Sequence, residues 1–477
     1  MRIPFDLIAA VLLMDGVGKF LGDPRAYDPS RAQTGMMALL WLGFFLVTWL
    51  ANELVVRRVE WATRFGQHPA GVPGSNGMHP MELLTWGTRG VHALTVVLYG
   101  LILWTTEWPL FTHYWPEWFG WTRETVVRIP YMSPVDAGLQ LSNSGIAAMA
   151  LDLGPFVIAM MLGWLPRRRL VSSARRRPIS IFSFLIHEIK LSWLPLLMWL
   201  AIAIVGDALA FLPHESTDWM AEPGMSLVIL LLFIGLLSVV ILPVFVIWWW
   251  ECTPLPDGDL KNRLLGLMER SGVKARAILV WGPKNSGILN ACVLGPWARF
   301  RYVLISPSLV DELGMEETEA VLAHELGHAR YGHLTLLFVM ILCMSALLDP
   351  LSSMVPFSSP VAQAGVLIAF VILYIYLFFG SIMRRCEREA DLASAELLGT
   401  PQPLVEALEK LARISGNIRN VYCWHHGSIA QRVEAVQQLS VDATGRIRLH
   451  KELRRMRILF VVLTIVAVCA QFVQRLS

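Results

Sequence analysis

Long apolar runs separated by short polar stretches dominate this chain. A helix that crosses the apolar core of a bilayer needs about 20 apolar residues, so runs near that length predict about eight transmembrane helices, give or take one or two. The runs are Met36–Val56, Val91–Thr105, Gly145–Leu165, Leu191–Leu212, Met225–Trp250, Leu334–Leu348, Val361–Met383 and Ile458–Val473.

The N-terminal stretch, residues 3–20, is a weaker apolar segment. Asp6, Asp15 and Lys19 interrupt it, and no small-residue cleavage site follows, so it does not have the pattern of a signal peptide. A short span, a re-entrant segment and an interfacial helix all fit these residues equally well.

Basic residues predict which side of the membrane each loop faces. Arg57 and Arg58 follow the first long run, and the segment 166–178 (PRRRLVSSARRRP) follows the third. The loops after the second and fourth runs are poor in Lys and Arg. Because basic loops stay in the cytoplasm, this alternation places residues 251–333 and 384–457 on the cytoplasmic side.

The segment 251–333 has the pattern of a small α/β unit. Apolar residues recur at helical spacing from 257 onward, and that helix is expected to end at Gly272. The runs ARAILVW and RYVLISP predict two strands, and the turn-rich stretch between them has room for another. A helix is then expected over Met315–Tyr331, with acidic residues in its first turn, where the helix dipole favours them.

Composition supports a membrane protein. Of 477 residues, 55% are hydrophobic and 16% are charged, whereas soluble domains have about 25% charged residues. The 19 tryptophans agree, because indole rings favour the boundary between membrane and water. The six cysteines form no Cys-x-x-Cys pair, so they predict neither a thiolate metal site nor a disulfide framework.

The motif HELGH, residues 324–328, lies in the last predicted helix of this unit. Residues four apart share a helix face, so His324 and His328 can direct ring nitrogens at one metal ion. Glu325 is then placed to act as general base on a water at that ion. The plainer interpretation is a helix end with two interfacial histidines.

His333 follows His328 by five residues, whereas the third histidine of the metzincin motif follows by six. We therefore expect His333 to be structural or interfacial.

Carboxylates that can supply a third ligand follow the next pair of apolar runs. Glu387, Glu389 and Asp391 lie on a predicted helix at the same membrane face as HELGH. Glu387 and Asp391 are four residues apart, whereas Glu389 lies about 200° around the helix from Glu387. One carboxylate can bind zinc while another orients a ligand or transfers a proton. The alternative is a solvated helix of mixed charge, which suits Glu389. Two histidines and one carboxylate leave a coordination position open, as in catalytic zinc sites.

Four segments together resemble a known family. TPLPDGDLKNRLLGLMERSGV, SGILNACVLG, EAVLAHELGHARYGH and CEREADLASAELLG are similar to the zinc metallopeptidases that include CAAX prenyl protease 1 and the HtpX-like membrane proteases. The resemblance extends from Trp250 to Arg432. The first 250 residues share with the family only their multiple spans.

The resemblance implies further roles. The family motif ExxAD falls on residues 387–391, which makes Glu387 the third zinc ligand and Asp391 an acid that supports a ligand or donates a proton. Asn290 and Ala291 match the edge strand that pairs with the substrate backbone in relatives.

A late His-Pro signature of the family has a counterpart in HHGSIAQR. It makes His426 a contact for the substrate or the transition state, and Arg432 a substrate-binding residue. Gly427 stands where the family has proline, and a packing or capping histidine is the alternative for His426.

The combined fold prediction is a mainly α, polytopic helical membrane protein with a small cytoplasmic α/β unit that is zincin-like and catalytic. Its predicted parts are a multi-spanning region (1–250), a cytoplasmic α/β segment with the HELGH helix (251–333), a transmembrane hairpin (334–383), a cytoplasmic helical segment with the third ligand (384–457) and a C-terminal transmembrane helix (458–477).

The predicted function is a membrane-embedded metalloendopeptidase with one catalytic Zn²⁺, acting on membrane-associated or misfolded proteins. Alternatives are CAAX-type processing of prenylated C-termini, a sensor or signalling protein with a zincin domain, and a transporter or structural protein with a decayed site. The intact Glu325 argues against decay, and no predicted extracytoplasmic loop is long enough for a sensor domain.

The expected partners are a polypeptide substrate, either a membrane protein or a lipidated peptide, and the lipid bilayer, with no nucleic acid. We expect a multi-pass protein of a bacterial inner membrane whose active site faces the cytoplasm. An endoplasmic reticulum membrane is the alternative, and the sequence does not set the oligomeric state.

Overall fold

The computed structural model describes residues 34–65, 80–113, 150–174, 178–192, 240–282, 289–354, 360–415 and 417–476, with residues 10, 146, 200 and 204. The chain divides into two compact units, one formed by Met1–Glu222 and Phe357–Ile368, the other by Pro223–Pro356 and Ala369–Ser477. Apart from residue 10, the N-terminal stretch 3–20 lies outside the described residues. Most residues of the predicted runs Leu191–Leu212 and Met225–Trp250 also lie outside the described residues.

The first unit contains an aromatic core between its helices. Tyr99 packs on Phe156 with ring centroids 5.1 Å apart, and Trp41 packs on Trp108 at 5.2 Å. The buried Tyr99 hydroxyl donates to the carbonyl of Asp152 at 2.9 Å, which satisfies its polar end. In chain order its first described helices are α1 (Thr34–Phe65), α2 (Pro80–Thr105), α3 (Trp108–His113), α4 (Gly154–Trp164), α5 (Arg167–Ala174) and α6 (Ile181–Ser192).

The second unit carries a β-sheet and the later helices. Its first elements are α7 (Leu242–Trp249), β1 (Thr253–Pro254), α8 (Asp259–Ser271), β2 (Ala277–Val280), β3 (Ala291–Leu294), β4 (Tyr302–Ile305), α9 (Pro307–Glu312) and α10 (Met315–Arg330). They are followed by α11 (His333–Met354), α12 (Pro360–Leu373), a π-helical segment (Tyr374–Phe379), α13 (Gly380–Leu398), α14 (Gln402–Ile414), α15 (Ile429–Val441) and α16 (Ala443–Leu476). The residues of α12 up to Ile368 belong to the first unit.

The four described strands form one sheet in the order β1-β2-β4-β3. β2 and β4 are parallel, and β1 and β3 pair antiparallel at the two edges. β2 and β4 lie in the two runs that the sequence predicts as strands, and β3 lies in the turn-rich stretch between them. Leucines of α8 and α10 are buried with strand residues in one core, so α10 is seated on the sheet (Leu264, Leu267, Leu322, Leu326, Val303 and Ile305).

Three helices have the length and composition to cross a membrane among the residues that the structure describes: Gly35–Thr63, Leu83–Thr105 and Ala369–Leu398. Met315–Arg330 and His333–Met344 pass the same test as a pair bent by 49°. Within the predicted run 145–165, the described helix α4 has only 11 residues. A mainly helical chain with membrane-length apolar helices is therefore confirmed, and the total of about eight spans stays a prediction.

Candidate metal centre

Helices α10 and α13 approach each other closely because small residues line their contact. A Cβ atom built on Gly327 would lie 2.9 Å from the Cβ of Ala393 and 3.0 Å from the Cα of Ala390, closer than real side chains pack. Ser394 sets the register, since its hydroxyl donates to the carbonyl of Ala320 at 2.8 Å. The glycine of HELGH thus lets two helices far apart in sequence meet backbone to backbone.

Two histidines of α10 and one glutamate of α13 converge beside this contact. The Nε2 atoms of His324 and His328 are 3.1 Å apart. His324 Nε2 is 3.6 Å from Glu387 Oε2, and His328 Nε2 is 3.4 Å from Glu387 Oε1. One ligand atom from each residue lies within 4.8 Å of the other two. The structure therefore brings together the three residues that the sequence predicts as metal ligands.

The donor set of these residues fits zinc. Zn²⁺ binds imidazole nitrogen and carboxylate oxygen at about 2.0–2.2 Å, and three such ligands with an open position form a catalytic site. Oε2 of Glu387 is buried and has no hydrogen-bond partner among the described residues, and Nη1 of Arg432 is 3.5 Å away. Buried carboxylate oxygens are normally paired. A cation held between Glu387 and the two imidazoles would supply that partner.

Glu325, the predicted base, follows His324 on α10 and is partly buried. Its carboxylate interacts electrostatically with Cys292 on β3 and with Arg432 on α15. Glu325 also interacts electrostatically with His328, so its neighbours include both the edge strand β3 and one of the proposed metal ligands.

The predicted substrate strand β3 is an edge of the sheet, because it pairs with β4 and with no other described strand. Asn290, exposed just before the strand, is held by its backbone: its N–H donates to Ser306 Oγ at 3.1 Å, and its carbonyl accepts from the Ser306 N–H at 3.0 Å. Ala291 is buried. In the part of the chain that the structure describes, the outer edge of β3 is open to β-strand addition.

Asp391 and Arg432 orient the first histidine. Oδ1 of Asp391 accepts from Nδ1 of His324 at 2.8 Å, so the opposite ring nitrogen, Nε2, is the one that faces Glu387. Arg432 donates to both oxygens of Asp391, at 3.0 Å and 2.6 Å. Burial opposes the charge of Arg432, but the Asp391 and Glu387 carboxylates outweigh it and raise the pKa of the guanidinium. The predicted contact of Arg432 with substrate stays a prediction.

His426 is partly exposed beside the ligands, with its Nδ1 2.9 Å from Oε1 of Glu387. Two backbone hydrogen bonds close the loop that carries it: the Gly427 N–H donates to the Cys423 carbonyl at 2.8 Å, and the Cys423 N–H donates to the Gly427 carbonyl at 3.3 Å. Gly427 has a φ of 78°, in the left-handed region that glycine adopts readily. This conformation explains why proline, with φ fixed near −65°, does not stand here.

Gly427→Pro should therefore lower the free energy of unfolding by more than about 1 kcal/mol, and should reduce peptide cleavage because His426 moves. The loop must leave its left-handed turn, and the hydrogen bond to Cys423 loses its donor. Gly427→Ala keeps the N–H. It adds the strain of φ above zero and a Cβ 2.9 Å from Oε1 of Gln431, the far end of a flexible side chain that can shift, so its effect should be smaller. For both variants, thermal melting in detergent measures stability and kcat/KM measures cleavage. A Gly427→Pro protein identical to wild type in both quantities would contradict this account of the loop.

A polar network behind His328 was missed from the sequence. Glu389 was expected on a solvated helix face; that expectation was wrong, because Glu389 is 1% exposed. Its carboxylate lies 2.8 Å from His333 Nε2, 2.6 Å from His450 Nδ1 and 3.0 Å from Arg457 Nη2. The sequence placed Glu389 away from the Glu387 face, but no pattern in it connected Glu389 with residues some 60 positions later.

Known peptidases resemble the segment that carries this centre, and the resemblance inferred from the motifs is confirmed. Residues 254–440 match the sequence model of Peptidase family M48. CAAX prenyl protease 1 of Saccharomyces cerevisiae is 30% identical over 171 residues, which cover 33% of this chain and 38% of that protein. A Protease HtpX homolog of Herminiimonas arsenicoxydans is 28% identical over 169 residues, 32% of this chain and 56% of the relative. The chain thus matches less than two thirds of either relative's length.

The crystal structure of S. mikatae Ste24p has a similar fold. The two structures align with a TM-score of 0.51 over 84% of this chain and 98% of that chain, at 16% sequence identity. At this identity the likeness establishes a shared fold and leaves activity to be argued from the site.

Proposed function

We propose that this protein is a membrane-embedded zinc metalloendopeptidase that hydrolyses peptide bonds of membrane-associated or misfolded proteins. One observation carries the proposal: His324, His328 and Glu387 converge from two helices as an open His₂Glu ligand set, with Glu325 next to the first ligand. The match of residues 254–440 to a peptidase family supports it.

The arrangement provides each element that peptide hydrolysis requires. Bound Zn²⁺ would supply polarisation of the scissile carbonyl and activation of a water. Glu325 accepts a proton from the attacking water and passes it to the leaving amine. The substrate backbone lies along the free edge of β3, where main-chain hydrogen bonds position it. His426 donates to the carbonyl oxygen as negative charge develops there, and Asp391 with Arg432 holds His324 in its ligating orientation.

In this proposal the protein is a multi-pass protein of a bacterial inner membrane, with the centre on the cytoplasmic side. The apolar helix Ala369–Leu398 supports a position of the centre at a membrane face, because it carries Glu387 in its polar second half. The Arg-rich segment 384–457 is consistent with a cytoplasmic position. The proposed divisions of the chain at 250, 333, 383 and 457 follow from the same topology.

CAAX-type processing is a second candidate, because one relative is named CAAX prenyl protease 1. The matching motifs supply ligands, a base and a substrate strand, and none of these functions depends on a lipid group. Reporter peptides with and without a farnesylated cysteine separate the two candidates. A general endopeptidase cleaves both peptides, whereas a dedicated processing enzyme requires the lipid.

Removing the metal tests the proposal directly. We expect 1,10-phenanthroline to abolish reporter-peptide cleavage by the purified protein in detergent, and one equivalent of Zn²⁺ per chain to restore it after the chelator has been removed by dialysis. Zinc at about 100 times its Kd should also stabilise the folded state by about 2.7 kcal/mol, which raises the melting temperature. The non-chelating isomer 1,7-phenanthroline is the control. Cleavage that survives complete metal removal would exclude the metallopeptidase assignment.

A further inference from the structure

A buried carboxylate connects the C-terminal helix to one of the proposed metal ligands. The carboxylate of Glu389 on α13 contacts His450 and Arg457 of α16. It also contacts His333 at the start of α11. His333 is 2% exposed, and its Nδ1 lies 2.8 Å from Nδ1 of His328. The order of contacts is thus α16, Glu389, His333, His328, and then the proposed metal position.

Hydrogen-bond direction along this series decides which nitrogen of His328 is free. An ionised carboxylate only accepts, so the Nε2–H of His333 donates to Glu389. Nδ1 of a neutral His333 is then an acceptor, and it takes the Nδ1–H of His328. His328 is left with a lone pair on Nε2, the atom 3.1 Å from His324 Nε2 and 3.4 Å from Glu387 Oε1.

We propose that Glu389 and His333 are positioning residues that fix the tautomer and ring orientation of His328 for zinc binding, and that α16 takes part through His450 and Arg457. The inference rests on the metal centre of the proposed function. A ligating histidine commonly donates its other ring N–H directly to a carboxylate or carbonyl, as His324 does to Asp391. For His328 the carboxylate is that of Glu389, and the imidazole ring of His333 lies between the two. The His333 ring therefore transmits the orientation from Glu389 to His328.

Zinc affinity tests the proposal without any catalytic readout. Loss of partners that orient a metal ligand typically weakens binding 10–100-fold, so Glu389→Gln should raise the zinc Kd of the full-length apoprotein by about that factor. Glu319→Gln is the matched control, because Glu319 is also buried and ion-paired, to Arg263, and lies on α10, the helix that carries the two histidine ligands. Its zinc Kd should stay within about twofold of wild type, in competition with a fluorescent chelator.

A purely structural network would give a different result. In that case Glu389→Gln lowers the melting temperature of the apoprotein but leaves the zinc Kd unchanged, and this outcome would overturn the proposal. Co²⁺ substitution adds a spectroscopic readout: the visible d–d bands report ligand geometry, and they should shift in Glu389→Gln and stay unchanged in Glu319→Gln. If Glu389→Gln does not fold, His333→Ala takes its place with the same expected results.

A double-mutant cycle tests whether the two residues act in series. Because both act through His328, Glu389→Gln combined with His333→Ala should lose no more zinc affinity than the more severe single variant. Additive losses would mean that they act separately, which contradicts the proposed series. Wild-type protein that binds no zinc would defeat the proposed function itself, whereas tight binding by wild type and variants alike defeats only this inference.

Discussion

Replacing Glu325 with glutamine should leave zinc bound and reduce cleavage of a reporter peptide by roughly 10²–10⁴-fold, the usual contribution of a general base. Glutamine is close to isosteric with glutamate, so α10 and its two histidines keep their positions, but the amide cannot accept the water proton. We expect kcat to fall while KM changes little, because Glu325 is not part of the ligand set or of β3. Metal analysis and steady-state kinetics on the same preparation give both quantities.

Glu316→Gln is the matched control for this variant. Glu316 is exposed in the first turn of the same helix, so its substitution removes the same charge from α10 far from the ligands. The Glu316→Gln protein should cleave the reporter peptide as fast as wild type. If Glu325→Gln retains zinc and cleaves as well as Glu316→Gln, then Glu325 is not the base, and another proton acceptor must be sought near His324.

The HELGH motif made part of the centre predictable from the sequence alone. A helix fixes the angle between residues four apart, so the convergence of His324 and His328 required no knowledge of the rest of the fold. Helix geometry alone could not identify the third ligand. Three carboxylates were available after the hairpin, and only the resemblance to a family selected Glu387, because the sequence cannot show which helix face meets α10.

Contacts between distant elements set the limit of the sequence reasoning. The role of Glu389 depends on His450 and Arg457, which reach it only because α16 packs beside α13. No local pattern encodes that packing, and a buried charge with three partners has the same sequence pattern as a solvated one. Gly427 was noted as a departure from the family, but its left-handed conformation became visible only in the structure.

The helix contact at Gly327 is the feature on which the metal centre depends most, because the ligands come from two different helices. Gly327→Ala adds a methyl group where a Cβ would be 2.9 Å from the Cβ of Ala393 and 3.0 Å from the backbone of Ala390. Overpacking of this kind costs about 1–3 kcal/mol. Separating α10 from α13 also moves Glu387 away from both histidines. If this overpacking energy is lost from zinc binding, the zinc Kd rises by about 5- to 150-fold, and we expect a fall in affinity of that size.

Gly266→Ala distinguishes this steric effect from a general effect of glycine replacement. Gly266 lies inside α8, and a Cβ built on it meets nothing within 4 Å. Alanine favours a helix over glycine by about 1 kcal/mol, so Gly266→Ala should raise the melting temperature slightly and leave zinc affinity unchanged. The two alanine substitutions should thus have opposite effects on stability, and only the one at Gly327 should weaken zinc binding. A Gly327→Ala protein with wild-type zinc affinity would show that the helices can separate without moving the ligands, and the close contact would then not be what holds the centre together.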